Sequence, residues 1–307
     1  AEGMVKWEET GDYRDEHRYY KELKRRSLLE SGEFDDRMHD IVRELACEIA
    51  NVFDGNETRR LYVDGDQSGV DFKHLRTMVA VSSSLSHNDL DGAFSKMKYL
   101  RALILEECYC ISELPESIGE LAYLRFLSIR VSKITDLPES VGGLQNLEIL
   151  ELMNCEELLK LPESLGNLKF LKIFELSNCP KIANVPDSIG DLSNLEYLGF
   201  FCGRLERIPD SVGKLGNLKE LNIVGCSNLE NLPSSIGCLK NLKNLGVFEC
   251  PKIVHFPESI GLLSNLEDLK IEDCMNLEKL PSIECLKNLK NLELLRCPKI
   301  LYLPDSI

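Results

Sequence analysis

Proline recurs along this chain at almost constant intervals: Pro115, Pro138, Pro162, Pro186, Pro209, Pro233, Pro257, Pro281 and Pro304 are separated by 23 or 24 residues each time. Around each proline the same phrase is rewritten, as in PSSIGCLKNLKNLGVFECPKIVHF from Pro233 to Phe256. A period between about twenty and fifty residues is the mark of stacked repeats. One such unit buries too few apolar side chains to offset the cost of ordering its own backbone, so it is stable only against its neighbours. The chain therefore has to fold as a stack without a single globular centre.

Each unit reads L-x-x-L-x-L-x-x-C, then a linker, then L-P-E-S-I-G-x-L-x-N-L. The first part is a strand, present nine times from Leu100/Leu103/Leu105 to Leu289/Leu292/Leu294. Alternation turns these residues inward and the residues between them to the opposite face. Proline blocks helix continuation and forces an extended segment. Ser is expected to cap one short turn, Gly to permit its sharp exit, and Asn to help the bend into the next strand. Stacked at about 4.8 Å, nine strands give a parallel sheet roughly 40 Å long. The expected fold is an α/β solenoid with that sheet on its concave face and short helical turns and extended segments on its convex face. Three units are one residue short, and in the third, Pro281-Ser282-Ile283-Glu284, the Gly is lost too, which predicts an altered convex turn.

Before the regular units the pattern changes. Residues 1 to about 50 carry no repeat and read as helical: Met38, Ile41, Val42, Leu45, Ala46 and Ile49 share one helical face, and Asp35 and Asp36 stand at its N-terminus. The polar stretch Asn51 to Asn56 marks a boundary. Beyond it, Arg60 to Val63 and Leu75 to Val79 are short β-prone runs between breakers, read as degenerate first units, and Ser82 to Asn88 reads as a polar loop. The expected organisation is 1–55 helical, 56–98 degenerate units and 99–307 regular units. With no initial Met and a stop in mid-repeat at Ile307, the chain reads as a fragment.

With 36 Lys and Arg against 51 Asp and Glu, the net charge is -15, which repels phosphate backbones and anionic lipid surfaces. No nucleic-acid partner and no membrane span are expected, and the absence of an apolar leader at Ala1 to Thr10 points to a reducing, cytoplasmic setting. Seven of the twelve cysteines, Cys108, Cys155, Cys179, Cys226, Cys250, Cys274 and Cys297, recur at one repeat position. As small hydrophobes with a weak S–H donor they need no chemistry, whereas a redox sensor would require an accessible thiolate. Cys108 and Cys110 form a CxC with no second pair at metal-ligand spacing, so no metal site is expected. His17, His39, His74, His87 and His255 have no local Ser or Cys nucleophile arrangement, and the chain reads as non-enzymatic.

The repeat resembles the leucine-rich repeat, and its LPESIG-x-L-x-N-L form is similar to that of plant intracellular immune receptors of the nucleotide-binding type. The resemblance continues outside the array. Ala1-Glu2-Gly3-Met4-Val5, Tyr20-Lys21-Glu22-Leu23, Arg26-Ser27-Leu28-Leu29 and Met38-His39-Asp40-Ile41-Val42-Arg43-Glu44-Leu45-Ala46 resemble the end of that family's winged-helix region with its Met-His-Asp motif. The resemblance implies that 1–55 is a partial winged-helix segment. It also implies that His39 contacts the phosphate of ADP in a resting receptor, with Met38 and Asp40 shaping the turn; taken without its neighbours, His39 is a polar-face residue of an amphipathic helix. No G-x-x-x-x-G-K-[ST] occurs: Gly213-Lys214 has Ile208 in place of the first Gly and Leu215 in place of Ser or Thr. No cofactor is expected on this chain alone, ADP or ATP being bound by the full-length family.

Recognition in such a solenoid belongs to the strand positions that face away from the core. Phe126, Tyr197, Phe201 and Phe248 are aromatics in those slots, where water is expected, and they read as hot spots or as ordinary exposed aromatics. Glu267, Asp268, Glu272 and Asp273 form an acidic cluster offset only by Lys270, suited to a basic partner or simply a solvated face. The resemblance implies protein partners: a pathogen effector or guarded host protein, and the receptor's own nucleotide-binding domains. The other reading is a signalling scaffold of the same repeats without a nucleotide switch. A substrate-recognition arm of a ubiquitin ligase lacks any F-box or catalytic segment here.

Overall fold

A computed structural model divides the chain into two units, Ala1–Glu48 and Ile49–Ile307, and describes residues 60–63, 75–81 and 86–300, all in the second. The expected helical segment with Met38, His39 and Asp40 lies outside the described residues, as do residues 301–307.

Among the described residues eleven strands form one sheet in chain order, and all neighbours run parallel. They are β1 Arg60–Val63, β2 Thr77–Val81, β3 Ala102–Glu106, β4 Phe126–Ser132, β5 Ile149–Cys155, β6 Ile173–Ser177, β7 Tyr197–Phe201, β8 Glu220–Val224, β9 Asn244–Phe248, β10 Asp268–Glu272 and β11 Asn291–Leu295. The two β-prone runs of the degenerate units thus extend the same sheet. Leu103, Leu127, Leu150, Phe174, Leu198, Leu221, Leu245, Leu269 and Leu292 stand in one register. That row belongs to the continuous core as far as Leu269, with Leu292 partly buried against its end, as alternation requires.

Between β2 and β3, where a polar loop is expected through Asn88, a helix α1 spans His87–Phe94. Ser86 and Asp89 form a capping box that starts it: Ser86 Oγ accepts from the Asp89 amide at 3.3 Å and Asp89 Oδ2 accepts from the Ser86 amide at 2.9 Å. The Ser86 hydroxyl, which also donates to Asp89 Oδ2 at 2.6 Å, and the Ser86 amide hold the Asp89 carboxyl below its usual range. Leu90, Ala93 and Phe94 enter the core.

The later turns are 3-10 helices: Glu116–Glu120, Glu139–Gly143, Glu163–Asn167, Asp187–Asp191, Asp210–Lys214, Ser234–Cys238 and Glu258–Leu262. Their N-cap is proline, with an extended backbone and no side-chain cap, and not serine as expected. The serine sits inside the turn, its Oγ buried and without a hydrogen-bond partner among the described residues from Ser117 to Ser259. Its place is explained by the glycine of the preceding repeat. A Cβ on Gly166 would lie 2.5 Å from the Ser188 carbonyl oxygen, and one on Gly237 the same distance from that of Ser259. The glycine is therefore required for the close approach of successive turns. After Pro281, where the Gly is missing, no 3-10 helix forms among the described residues.

Asn acts across repeats. Asn217 Nδ2 donates to the Ser193 carbonyl at 2.8 Å, Asn241 to Gly216 at 2.6 Å and Asn265 to Lys240 at 2.7 Å. The thiols form a second ladder, each donating to a carbonyl of the strand before it: Cys108 to Ala80 at 3.7 Å, Cys179 to Leu152 at 3.7 Å, Cys226 to Phe200 at 3.7 Å. Cys202 also belongs to this row, donating to Leu176 at 3.5 Å, and Ser132 fills the place in β4 opposite Cys155. The residue just before the thiol is left-handed at Glu107, Asn154, Asn178, Gly225, Glu249 and Asp273. The repeat of β7 has lost that left-handed residue, so its one-residue deletion falls just before the thiol.

Candidate recognition surface

The residues that alternate with the core row form three lateral rows on the concave face. The first runs Thr77, Ala102, Phe126, Ile149, Ile173, Tyr197, Glu220, Asn244, Asp268, Asn291. It is apolar across β3–β7 and polar or acidic across β8–β11. Phe126 and Tyr197 are buried, although water was expected at both. The reason is lateral: at strand spacing each slot side chain packs on its in-register neighbours, and Phe126 stands between Ala102 and Ile149. Phe201 and Phe248 are half-buried at the ends of β7 and β9.

Two glycines in the second row shape this surface. A Cβ on Gly199 would lie 2.7 Å from the Tyr197 hydroxyl and 2.9 Å from the Phe201 ring. At Gly246 it would collide with the Phe248 ring and lie 2.5 Å from Asn222 Oδ1. Both glycines leave space that aromatic side chains fill, a role signalled by a glycine in mid-strand.

In the N-terminal part of the face lies a buried ionic group that single-repeat reading missed. Arg130 Nη2 donates to Glu151 Oε2 at 2.9 Å, Arg130 Nε to Ser128 Oγ at 2.9 Å, and Ser128 Oγ to the same Glu151 oxygen at 3.1 Å. All three residues are buried. Burial makes such a pair costly to break from one side, because the remaining charge is left uncompensated. The only advance signal is a pair of polar slots one repeat apart.

The acidic cluster is brought together but is not offset as expected. Glu267 pairs with Lys243 at 3.1 Å and Lys290 at 2.5 Å, Asp268 accepts from Asn291 at 2.6 Å, and Arg296 bridges Glu272 and Asp273. Lys270 turns instead to Glu293 at 3.3 Å. Hydrogen bonds from Lys290 and Lys243 hold the Glu267 carboxyl below its ordinary range. The neutralising cations come from adjacent repeats, where parallel stacking sets them beside the acids.

The strand-entry edge carries a feature that the strand-slot pattern does not single out. Tyr99, Tyr123 and Phe170 occupy the Asn position of the repeat and are 45%, 54% and 56% exposed. Departure from the repeat consensus at that one position was the available signal. No described helix is long and apolar enough to cross a membrane. Among the described residues no group of three or more His, Cys, Asp or Glu is placed to hold a metal.

Residues 74–226 and 167–302 match the family described as "Leucine-rich repeat region". The chain is 29% identical over 157 residues to Probable disease resistance protein At1g59620 of Arabidopsis thaliana, a match covering 44% of this chain and 18% of that protein. Less than a fifth of the relative's length is therefore spanned. Among solved structures, the leucine-rich repeat domain of the type III effector XopL is similar over 98% of each chain, with 21% identity and a TM-score of 0.61, a likeness of fold. The Arabidopsis receptor kinase HAESA, solved with the peptide hormone IDA and the co-receptor SERK1, is 26% identical over 72% of this chain and 42% of its own, with a TM-score of 0.48. The one-register parallel sheet and a family match running through most of its length make this chain a member of the leucine-rich-repeat family.

Proposed function

We propose that this array is the protein-recognition region of a plant intracellular immune receptor, reading a pathogen effector or a guarded host protein through the slots of its concave face. The observation that carries the reading is the contrast within each strand: the inward row repeats Leu almost without change, while the slot rows run from apolar to aromatic beside glycine to acidic. A surface that varies on an unvarying frame suits recognition and needs no catalysis. The likeness to a probable disease resistance protein supports the choice of biological setting. Phe201 and Phe248 are the anchors for a partner, and Asp268, Glu272 and Asp273 give polarity to the far end.

In this reading the array without partner also packs on the receptor's nucleotide-binding domains and holds them inactive, which requires the partner to bind the two receptor states differently. ADP and ATP belong to those domains, and this chain's contribution would be His39 with Met38 and Asp40. The 307-residue chain by itself then gives no ADP binding in calorimetry. The deciding experiment reads the transcript upstream of Ala1 and co-expresses the encoded region with this chain. A P-loop domain that co-purifies and is released on ATP loading supports the proposal; unrelated sequence, or a stop codon, overturns it in favour of a scaffold without a switch.

A further inference from the structure

The concave face is not the one surface built for contact. At the strand-entry edge most repeats carry Asn, drawn back onto a carbonyl of the preceding repeat, as in Asn146 to Ala122 at 2.7 Å and Asn194 to Lys169 at 2.7 Å. Tyr99, Tyr123 and Phe170 replace it with rings that make no such bond and stand about half in solvent. A polar position that stabilises the stack has been given up three times in the N-terminal half, each time for a large aromatic, the residue class that dominates interface energetics.

Two of the three rings are also held in place. Arg76 lies over Tyr99 with its guanidinium carbon 4.9 Å from the ring centre and donates to the Tyr99 carbonyl at 3.2 Å. Tyr99 and Tyr123 pack at 5.9 Å between centres, tilted by 31°. Asn146, bonded back onto Ala122, stands in the repeat between Tyr123 and Phe170, which are two repeats and so roughly 10 Å apart. Around them the edge is basic: Lys96, Lys98, Arg101, Lys169 and Lys172 against Glu120 and Glu148, and Glu148 is itself paired with Arg125 and Lys172. This strip stands out on a chain of net charge -15.

We propose that this edge is a second docking surface, for an acidic, extended segment of a partner protein that carries an apolar side chain at every third residue. An extended left-handed segment rises about 3.1 Å per residue with three residues per turn, so same-face side chains recur at about 9 Å, close to the two-repeat distance that separates Tyr123 from Phe170. Its carboxylates meet the lysines, and its apolar side chains seat against the rings. Cations interleaved with aromatics also suit a single-stranded nucleic acid, but the acidic remainder of the protein repels a phosphate backbone. The surface is separate from the concave slots, so it stands or falls independently of the function proposed above.

The test is fluorescence anisotropy of the full chain with a labelled dodecapeptide of four Glu-Glu-Leu units, expected to bind with Kd on the order of 10–100 µM. Four Glu-Glu-Ser units and four Lys-Lys-Leu units should each bind at least about tenfold more weakly. The triple variant Tyr99→Asn, Tyr123→Asn, Phe170→Asn restores the repeat consensus; it should keep its melting temperature and lose at least about tenfold in affinity. Lys96→Glu with Lys98→Glu, at two exposed sites, should do the same and carries the test by itself if the triple variant is less stable. No binding of the Glu-Glu-Leu probe, equal binding by the variants, or preference for the lysine probe or for oligothymidylate overturns the proposal.

Discussion

The two halves of this array share a frame and differ in how that frame is finished. Across β3–β7 the first slot of each strand is Ala102, Phe126, Ile149, Ile173 or Tyr197, the ionic group of Arg130, Ser128 and Glu151 is buried, and the strand-entry edge bears exposed aromatics. Across β8–β11 the same slot is Glu220, Asn244, Asp268 or Asn291, the ion pairs of Glu267 and Arg296 are open to solvent, and the edge is an unbroken Asn ladder. Core row, glycine seam and thiol row run through both, interrupted only where Ser132 replaces a thiol in the first half and where the Gly is lost after Pro281 in the second. The lesson is that stacking fixes where a slot points and how close its neighbours are, and leaves its chemistry open; function can be written in one half without disturbing the other.

The comparison can be broken most forcefully at charge. Arg130→Met leaves Glu151 buried without its cation and should cost about 3–5 kcal/mol in chemical denaturation, whereas Arg296→Met in the other half should leave the transition in place. Equal effects would show that the two halves do not differ in burial as described. A change to the shared frame should instead ignore the halves. Gly166→Ala and Gly237→Ala each push a methyl group onto the next turn's carbonyl and should each destabilise by about 1–3 kcal/mol, while Gly216→Ala, in open space, should be close to neutral.

A smaller effect separates the edges. Asn241→Ala removes one inter-repeat hydrogen bond and should cost about 1 kcal/mol, read as faster hydrogen exchange at the neighbouring repeats; Tyr123→Asn in the first half should cost nothing. Smallest is a pH effect in the C-terminal half. Burial pushes the Cys274 thiol from 9.0 up to about 11. The folded state thus keeps a proton that the unfolded chain gives up, so stability is complete below pH 9 and declines as pH rises through that window. Melting temperature against pH should show this decline, and Cys274→Val should lessen it without abolishing it, since Cys179, Cys250 and Cys297 are raised as well.

How much of this could be read from the chain depends on whether a property is local to one repeat. Core positions such as Leu221 and Leu245 follow from period and alternation, and both are buried in one row. The proline turns were legible as extended-then-turn, but the partners of Ser and Gly were not, because the contact that fixes them is with the next repeat. Phe126 was misjudged as water-facing for the same reason: its cover comes from lateral neighbours, Ala102 and Ile149, about two dozen residues away in sequence. Lys243, Lys290 and Arg296 were missed as the partners of the acidic cluster since they too lie one repeat off. Cys202 was left out of the thiol row because a deletion shifts its spacing, which only the register restores. The resemblance carried by Met38, His39 and Asp40 falls on residues outside the described ones.

The glycine seam has an evolutionary consequence. Each turn from Gly142 to Gly261 receives the serine backbone of the next through the same missing methyl group, so every junction between repeats is an interchangeable joint. A whole unit copied or deleted anywhere in that stretch remakes both joints at once, and its slots travel with it. New orders of recognition residues can therefore arise by duplication without any compensating change in the core. That freedom stops at Ser282, whose repeat lacks the glycine that would accept another unit in the same way.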